Sequence, residues 1–371
     1  MTRSQTSTRA EFLLSVADLH THFELDAGTL RAVDGVSFEL KPGQTLGIVG
    51  ESGCGKTVLS RTVMRLNLGD NVSTSGTIKF AGRNLLNLPT KEMNEIWGRE
   101  IAMVFQDPMT SLNPVVKIGR QVSEHVRKHL GASKKEARQL GIELLRSVRI
   151  PEPERAFNAF PHELSGGMRQ RVSIAIALAC SPKLLFADEP TTALDVTVQH
   201  QILNLLGIQQ TERDMAMVLI THDLGVVAGR TDEIIVMYAG KVVEHALTRD
   251  IFGETSHPYT EALLRSIPTT DQPSHTRLAA IAGRPPDLIQ PTAGCSFSPR
   301  CPYAQERCYS EEPPLHSNES GHLSACWYPV GTDENIVAWK KNLESGRPAT
   351  IAVAEGHAID DVSSAAFRGA P

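Results

Sequence analysis

The chain has 371 residues, 41% of them hydrophobic and 21% charged, with a formal net charge of −5. That mild acidity argues against a general nucleic-acid binder, which carries a basic face, and no apolar run approaches the roughly 18 residues of a membrane span. The longest candidate, Val172 to Cys180, stops at Ser181-Pro182, and the polar stretch Met1 to Ala10 lacks the apolar core of a secretory signal. The expectation is a soluble, cytoplasmic protein of about two domains, reaching a membrane only through partner subunits.

Residues 1–10 read as a mobile, disordered tail. Phe12 to Leu19 and Leu30 to Leu40 predict strands, with Phe23 on a turn between them. Phe23 is either ordinary core packing or an aromatic platform for an adenine base. Next comes an apolar run, Leu46-Gly47-Ile48-Val49, then Gly50, Glu51, Ser52, Gly53, Cys54, Gly55, Lys56 and Thr57, then a helical pattern from Val58 to Leu66. Strand, glycine-rich loop and helix stand in the order that a phosphate-binding loop requires. Its glycines let backbone N–H groups turn inward around a phosphate, and the helix N-terminus adds positive dipole. Lys56 is placed to reach the β- and γ-phosphates of a nucleoside triphosphate, and the Thr57 hydroxyl to ligand Mg²⁺.

Gly76 to Phe80 and Ile101 to Phe105 predict further strands, and Gln106 follows at once. Ligands collect at such strand ends in open α/β sheets, and a glutamine amide oxygen there can bind Mg²⁺ or position water. Standing alone, Gln106 would read as an exposed polar loop residue. Residues 115–160 change character: Ile118, Val122, Val126 and Leu130 recur at helical spacing, as do Leu140, Leu144, Leu145 and Val148. They mark an inserted helical subdomain, about 107–180, whose basic residues form a solvated face. Leu164-Ser165-Gly166-Gly167-Met168 then opens another helix, with Ser165 as N-cap and the two glycines allowing close backbone approach. It is a second anion-binding helix start in one chain.

Lys183 to Pro190 is a buried strand ending in Asp188 and Glu189. Two acids at the tip of an apolar strand are costly without a cation. Asp188 suits Mg²⁺ beside a triphosphate, and Glu189 suits polarising an attacking water. Thr191 to Asp195 forms a loop, a helix runs from Val196 to about Arg213, and Met215 to Ile220 is another strand. His222 falls just beyond it, at the same edge as the other candidate groups.

Of six cysteines, Cys54 lies in the glycine-rich loop and Cys180 ends an apolar helix, while Cys295, Cys301, Cys308 and Cys326 cluster near the C-terminus. In a reducing compartment that group reads as metal ligands before disulfides. Four thiolates complete a set for a [4Fe–4S] cluster or for tetrahedral Zn²⁺, with unligated thiols the third reading. Zinc favours cysteines two to four residues apart. The wider spacing here, with Pro299 and Pro302 between, suits the larger cube. Residues 331–371 are expected to be a largely disordered tail, above all the Ala/Ser/Gly-rich stretch after Asn342.

In order, these pieces resemble the nucleotide-binding subunit of an ATP-binding cassette (ABC) transporter, an α/β P-loop NTPase with helical and antiparallel β subdomains. The markers are the loop 50–57, Gln106, Leu164 to Met168, Asp188-Glu189, Ala193-Leu194-Asp195 and His222. Asp107 to Pro114, Gly166 to Val172 and His257-Pro258-Tyr259-Thr260-Glu261-Ala262-Leu263-Leu264 look like the oligopeptide/dipeptide import branch. The resemblance implies a nucleotide-binding domain at 11–256 and a Cys-rich extension at 257–330. It implies an ATPase with ATP and Mg²⁺ as cofactors, pairing head to tail with a second, related ATPase subunit. Ser165, Gly166 and Gly167 would then face the partner's ATP, Phe23 would serve the adenine, and Glu189, His222 and Gln106 would be catalytic. Two transmembrane permeases and, indirectly, an extracytoplasmic solute-binding protein follow as partners, with the chain peripheral on the cytoplasmic face of the inner membrane. Relatives in the peptide branch look similar around the four cysteines. Phe23 replaces the commoner tyrosine and Met168 the commoner glutamine. Other cargo (nickel, glycosides, opines) would use the same machinery. Cassette ATPases of DNA repair would carry long coiled-coil or zinc insertions, and translation-linked ones a second phosphate loop.

Overall fold

The computed structural model describes residues 12–67, 69–107, 111–192, 194–267, 281 and 283–345. The expected tail at 1–10, Ala193, residues 108–110 and the stretch from 346 lie outside the described residues. The chain divides into two compact units: residues up to Glu24, Val33–Ile48 and Lys56–Thr221 in one, and Leu25–Ala32, Val49–Gly55 and the chain from His222 in the other.

In the first unit, β1 (Leu14–Leu25), β2 (Gly28–Leu40), β4 (Val72–Phe80) and β5 (Arg83–Asn84) form a sheet in the order β2-β1-β4-β5. The expected turn at Phe23 is corrected here: Phe23 lies in β1, paired with Val72 of antiparallel β4. Buried Leu19 and Thr21 carry the period-2 alternation onward, so the ribbon reverses only at Asp26-Ala27.

The same unit holds β3 (Thr45–Val49), β6 (Ile101–Val104), β7 (Leu184–Asp188) and β8 (Ala216–Thr221), in the order β3-β8-β7-β6. The β6–β7 and β7–β8 pairs are parallel. Every residue of these four strands is buried, the mark of a parallel sheet covered on both faces. Their continuous apolar runs, rather than alternation, are what made them legible. Helix α1 (Lys56–Val63) follows the glycine-rich loop.

The inserted block folds as α2 (Ile118–Leu130), α3 (Lys134–Ser147) and α4 (Pro153–Asn158). Ser133 and Glu136 form a capping box at the start of α3, satisfying two helix-end N–H groups reciprocally. The three helices close on Phe157: a Cβ at Gly119 of α2 would run into the ring, and one at Gly141 of α3 would come within 2.8 Å of it. Helix α5 (Gly166–Ala177) precedes β7, and α6 (Val196–Glu212) joins β7 to β8.

In the second unit, β9 (Glu233–Tyr238) and β10 (Lys241–Leu247) are antiparallel, and the Cys-rich extension adds β12 (Leu323–Ser324) to β10 and β11 (His316–Ser317) to β12. Between them lies α7 (Pro258–Arg265). Glu244 of β10 is fully buried. It accepts the backbone N–H groups of Ser256 at 2.6 Å and His257 at 3.1 Å, and its Oε1 lies 2.7 Å from Nε2 of His322. One carboxylate thus ties three segments together, and burial pushes the pKa of His257 beside it down to about 4. Part of the stretch expected to be a largely disordered tail is helical, as α8 (Asp333–Glu344), and the remainder of it from 346 lies outside the described residues. Thr332 caps α8, Asp333 and Glu334 complement its N-terminal dipole, and Asn342 is buried against the carbonyls of Pro302 and Ala304.

Candidate functional site

The C-terminal ends of the parallel strands carry the charged groups of the first unit. β7 ends on Asp188, and Glu189 follows with φ of 44°, a left-handed conformation rare for a side-chain-bearing residue and of order 1–3 kcal/mol in strain. The Glu189 N–H is held by the carbonyl of Ile220 at 2.9 Å. Its carboxylate accepts two hydrogen bonds on Oε2, from Gln106 Nε2 at 3.0 Å and Thr192 Oγ1 at 2.9 Å. Its Oε1 lies 4.0 Å from Nζ of Lys56, and both side chains are nearly buried. Gln106, Lys56 and Glu189, separated by up to 133 residues in sequence (189 minus 56), thus meet at one oxygen pair.

Thr57 Oγ1 donates to Asp188 Oδ1 at 3.0 Å. The other carboxylate oxygen, Oδ2, is buried with no hydrogen-bond partner. Burial pushes the Asp188 carboxyl up, the Thr57 hydrogen bond pulls it back, and adjacent Glu189 pushes it up again. A buried orphan oxygen beside a second carboxylate and a hydroxyl fits a hard divalent cation. Mg²⁺ takes such oxygen ligands, with substrate phosphates completing its shell.

Residues 49–55 belong to the second unit. Gly55 has φ of 105°, and the carbonyl of Ala32 occupies the space a Cβ would take, so only glycine fits. Sequence reasoning missed what grips this loop. The Arg300 guanidinium, 3% exposed, makes a two-pronged ion pair with Glu51 at 2.5 and 2.9 Å. It also donates to the Tyr238 hydroxyl at 3.2 Å. The hydroxyl of Tyr259, on α7, accepts the backbone N–H of Glu51 at 2.7 Å. Tyr238, Tyr259 and Phe297 pack ring on ring with centroids 4.6 to 5.4 Å apart. Tyr259 had a signal, since it sits in the His-Pro-Tyr stretch; Arg300, one residue before Cys301, had none.

Ser165 caps α5, its hydroxyl accepting from Met168 N at 3.3 Å, and it is exposed. Gly166 and Gly167 follow, half-buried; a Cβ at Gly167 would come within 2.9 Å of Val198. His222 directly follows β8, is exposed, and opens the second unit. Phe23 is half-buried in β1. Cys295, Cys301, Cys308 and Cys326 line one cavity with His257 and Phe297. Burial pushes all four thiols up, Cys295 to about 11 and Cys326 to about 12.

The ABC transporter family matches residues 33–192, and the oligopeptide/dipeptide transporter C-terminal region matches residues 243–308. A probable peptide ABC transporter ATP-binding protein of Sinorhizobium fredii is 50% identical over 326 residues, 88% of this chain and 97% of the relative. The oligopeptide transport ATP-binding protein OppD of Salmonella typhimurium is 47% identical over 334 residues, 89% of this chain and 99% of the relative. The dipeptide transport ATP-binding protein DppD of Lactococcus lactis is 47% identical over 339 residues, 89% of this chain and 97% of the relative. Among solved structures, a dimeric ATP-binding cassette in a post-hydrolysis state with ADP and phosphate matches with a TM-score of 0.57 and 28% identity, covering 64% of this chain and 99% of that one. The chain is an ATPase of the ABC transporter family and belongs to its oligopeptide/dipeptide branch.

Proposed function

We propose that this chain energises the import of di- or oligopeptides by binding and hydrolysing ATP beneath a pair of membrane permeases supplied by an extracytoplasmic receptor. The observation that carries the chemistry is Glu189, held between Lys56, Gln106 and Thr192 beside the half-satisfied Asp188. Lys56 and the N–H groups of residues 50–55 hold the phosphates. Thr57, Asp188 and Gln106 hold Mg²⁺, which supplies charge neutralisation at the phosphates when bound. Glu189 draws the proton of the attacking water, Gln106 and Thr192 fix its carboxylate, and His222 and Gln106 are the other catalytic residues. Phe23 stacks on the adenine. Ser165, Gly166 and Gly167 serve the ATP of a second, related ATPase subunit, in a head-to-tail dimer that ATP closes and hydrolysis reopens. The domain at 11–256 does this work on the cytoplasmic face of the inner membrane, and no helix among the described residues is long and apolar enough to cross that membrane.

Peptide cargo is supported by identity near 50% along almost the whole length of the relatives named for peptide transport. With permeases and receptor in vesicles, peptide-loaded receptor should raise ATP hydrolysis several-fold. Equal stimulation by a nickel- or glycoside-loaded receptor would assign the other cargo.

The extension at 257–330 holds a [4Fe–4S] cluster on Cys295, Cys301, Cys308 and Cys326 in this reading. Supporting it, all four line one cavity, yet among the described residues no three of their sulfurs lie within 4.8 Å of one another. Tetrahedral Zn²⁺ with Zn–S bonds of about 2.3 Å needs sulfurs about 3.8 Å apart, whereas an iron–sulfur cube holds its thiolates wider. The group would staple a segment poor in apolar residues. An absorption spectrum with iron and sulfide analysis of anaerobically purified protein tests it; one zinc per chain would replace the cluster with Zn²⁺.

A further inference from the structure

Outside the nucleotide site, one group of metal-ligating side chains draws together in the first unit. His20 and His22 stand two apart on β1, and Asp34 stands on the adjacent β2. The β1–β4 register shifts between Ala17 and His20, and Asp18 there has φ of 47°. Such a bulge re-aims the side chains beyond it. After it, Leu19 and Thr21 are fully buried while His20 and His22 share the opposite face, each about a quarter exposed. One ligand atom from each of the three residues lies within 4.8 Å of the other two. The two rings meet edge to face, centroids 5.8 Å apart.

We propose that His20, His22 and Asp34 form a binding site for a divalent transition-metal ion of the zinc type, tying β1 to β2. Three features carry it. First, His20 Nδ1 lies 3.0 Å and His22 Nε2 3.4 Å from the same oxygen, Asp34 Oδ1. Tetrahedral zinc with bonds of about 2.0–2.1 Å sets its ligand atoms about 3.3 Å apart. Second, His22 Nε2 is buried with no hydrogen-bond partner; its 3.4 Å approach to Asp34 lacks hydrogen-bond geometry, so a cation bound by both would satisfy that nitrogen. Third, the far nitrogen of His20, Nε2, lies 3.0 Å from Asp18 Oδ1. A carboxylate holding the second nitrogen of a ligating histidine fixes the tautomer that turns the Nδ1 lone pair to the metal. Imidazole pairs with one carboxylate suit Zn²⁺ and its neighbours, not Mg²⁺ or Ca²⁺, which take oxygen. Three protein ligands leave a fourth position for water.

The test uses the full chain saturated with Mg²⁺-ATP, titrated with Zn²⁺ and, as a spectroscopic probe, Co²⁺. Wild type should bind one more equivalent of Zn²⁺ than His22→Gln or Asp34→Asn. The Co²⁺ held at that site should show no thiolate charge transfer, which separates it from the four cysteines. Asp18→Asn should weaken that equivalent about 10- to 100-fold. Without any variant, Zn²⁺ should protect two histidines of the wild-type chain from acylation, with His20 and His22 identified by peptide mapping. Equal Zn²⁺ stoichiometry and affinity in wild type and His22→Gln would overturn the proposal. So would unprotected His20 and His22 at saturating Zn²⁺.

Discussion

At the residue scale, Lys56 and Glu189 face each other yet should fail differently. Lys56 neutralises phosphate charge in both ground and transition states, so Lys56→Ala should weaken ATP binding and turnover together. Glu189→Gln keeps the shape that Gln106 and Thr192 hold but loses a basic oxygen. ATP should still bind while single-turnover hydrolysis falls roughly 10²–10⁴-fold; near-normal hydrolysis would remove Glu189 as the key base. Away from the site, Glu100 accepts from Arg83 at 2.8 Å and from Lys183 at 2.9 Å. Burial alone would raise its carboxyl, but the two cations outweigh that and hold it below the usual carboxylate range. A depressed folded pKa stabilises fully above the unfolded value, about 4.3, and the contribution disappears as pH falls through the folded value. Because both cations are substantially exposed, screening limits the effect. Glu100→Gln should cost roughly 0.5–1 kcal/mol at pH 7, and the difference in urea midpoints should shrink as pH is lowered past about 4.

At the scale of elements, the parallel strands and the loop between β3 and α1 were legible because each pattern has one physical cause. Strands buried on both faces read as unbroken apolar runs, and a backbone that cradles phosphate needs glycine. Phe23 was misplaced because β1 pairs beyond its apolar stretch, through His20 and His22, where side-chain pattern no longer marks a strand. Helix α8 was missed because its burial is polar, Asn335 and Asn342 facing inward. The close packing on Phe157 was equally silent, since a glycine within a helix reads as a weakness until its neighbour is known. Gly119→Ala should therefore destabilise the helical block rather than strengthen α2: a methyl there meets the Phe157 ring and its backbone oxygen. Overpacking of this kind costs about 1–3 kcal/mol, against roughly 1 kcal/mol gained in helix propensity. A higher unfolding midpoint in the variant would contradict that packing.

At the scale of the whole molecule, the Cys-rich extension bears on the phosphate loop through the second unit. Separation in sequence from Asp188 and Glu189 would, taken alone, predict that Cys301→Ser destabilises the extension and leaves ATP binding largely intact. Arg300 and Tyr259 argue otherwise, because both hold Glu51 within the loop. Removing Arg300 takes away the two-pronged cationic partner of Glu51 beside the place where phosphates bind. Breaking a buried pair costs about 3–5 kcal/mol, and the partial exposure of Glu51, 26%, reduces that. Arg300→Ala should accordingly weaken ATP binding by roughly 10-fold, a loss of about 1.4 kcal/mol, with Glu189-dependent chemistry unchanged once ATP is bound. The double change Arg300→Ala with Glu51→Gln should recover much of the affinity, because it removes the Glu51 charge together with the cation that balanced it. Cys301→Ser should reproduce the Arg300→Ala loss if the four cysteines hold Arg300 in place. Nucleotide titration of the three variants decides the matter: wild-type affinity in Arg300→Ala would leave the ion pair as a contact without consequence for the loop.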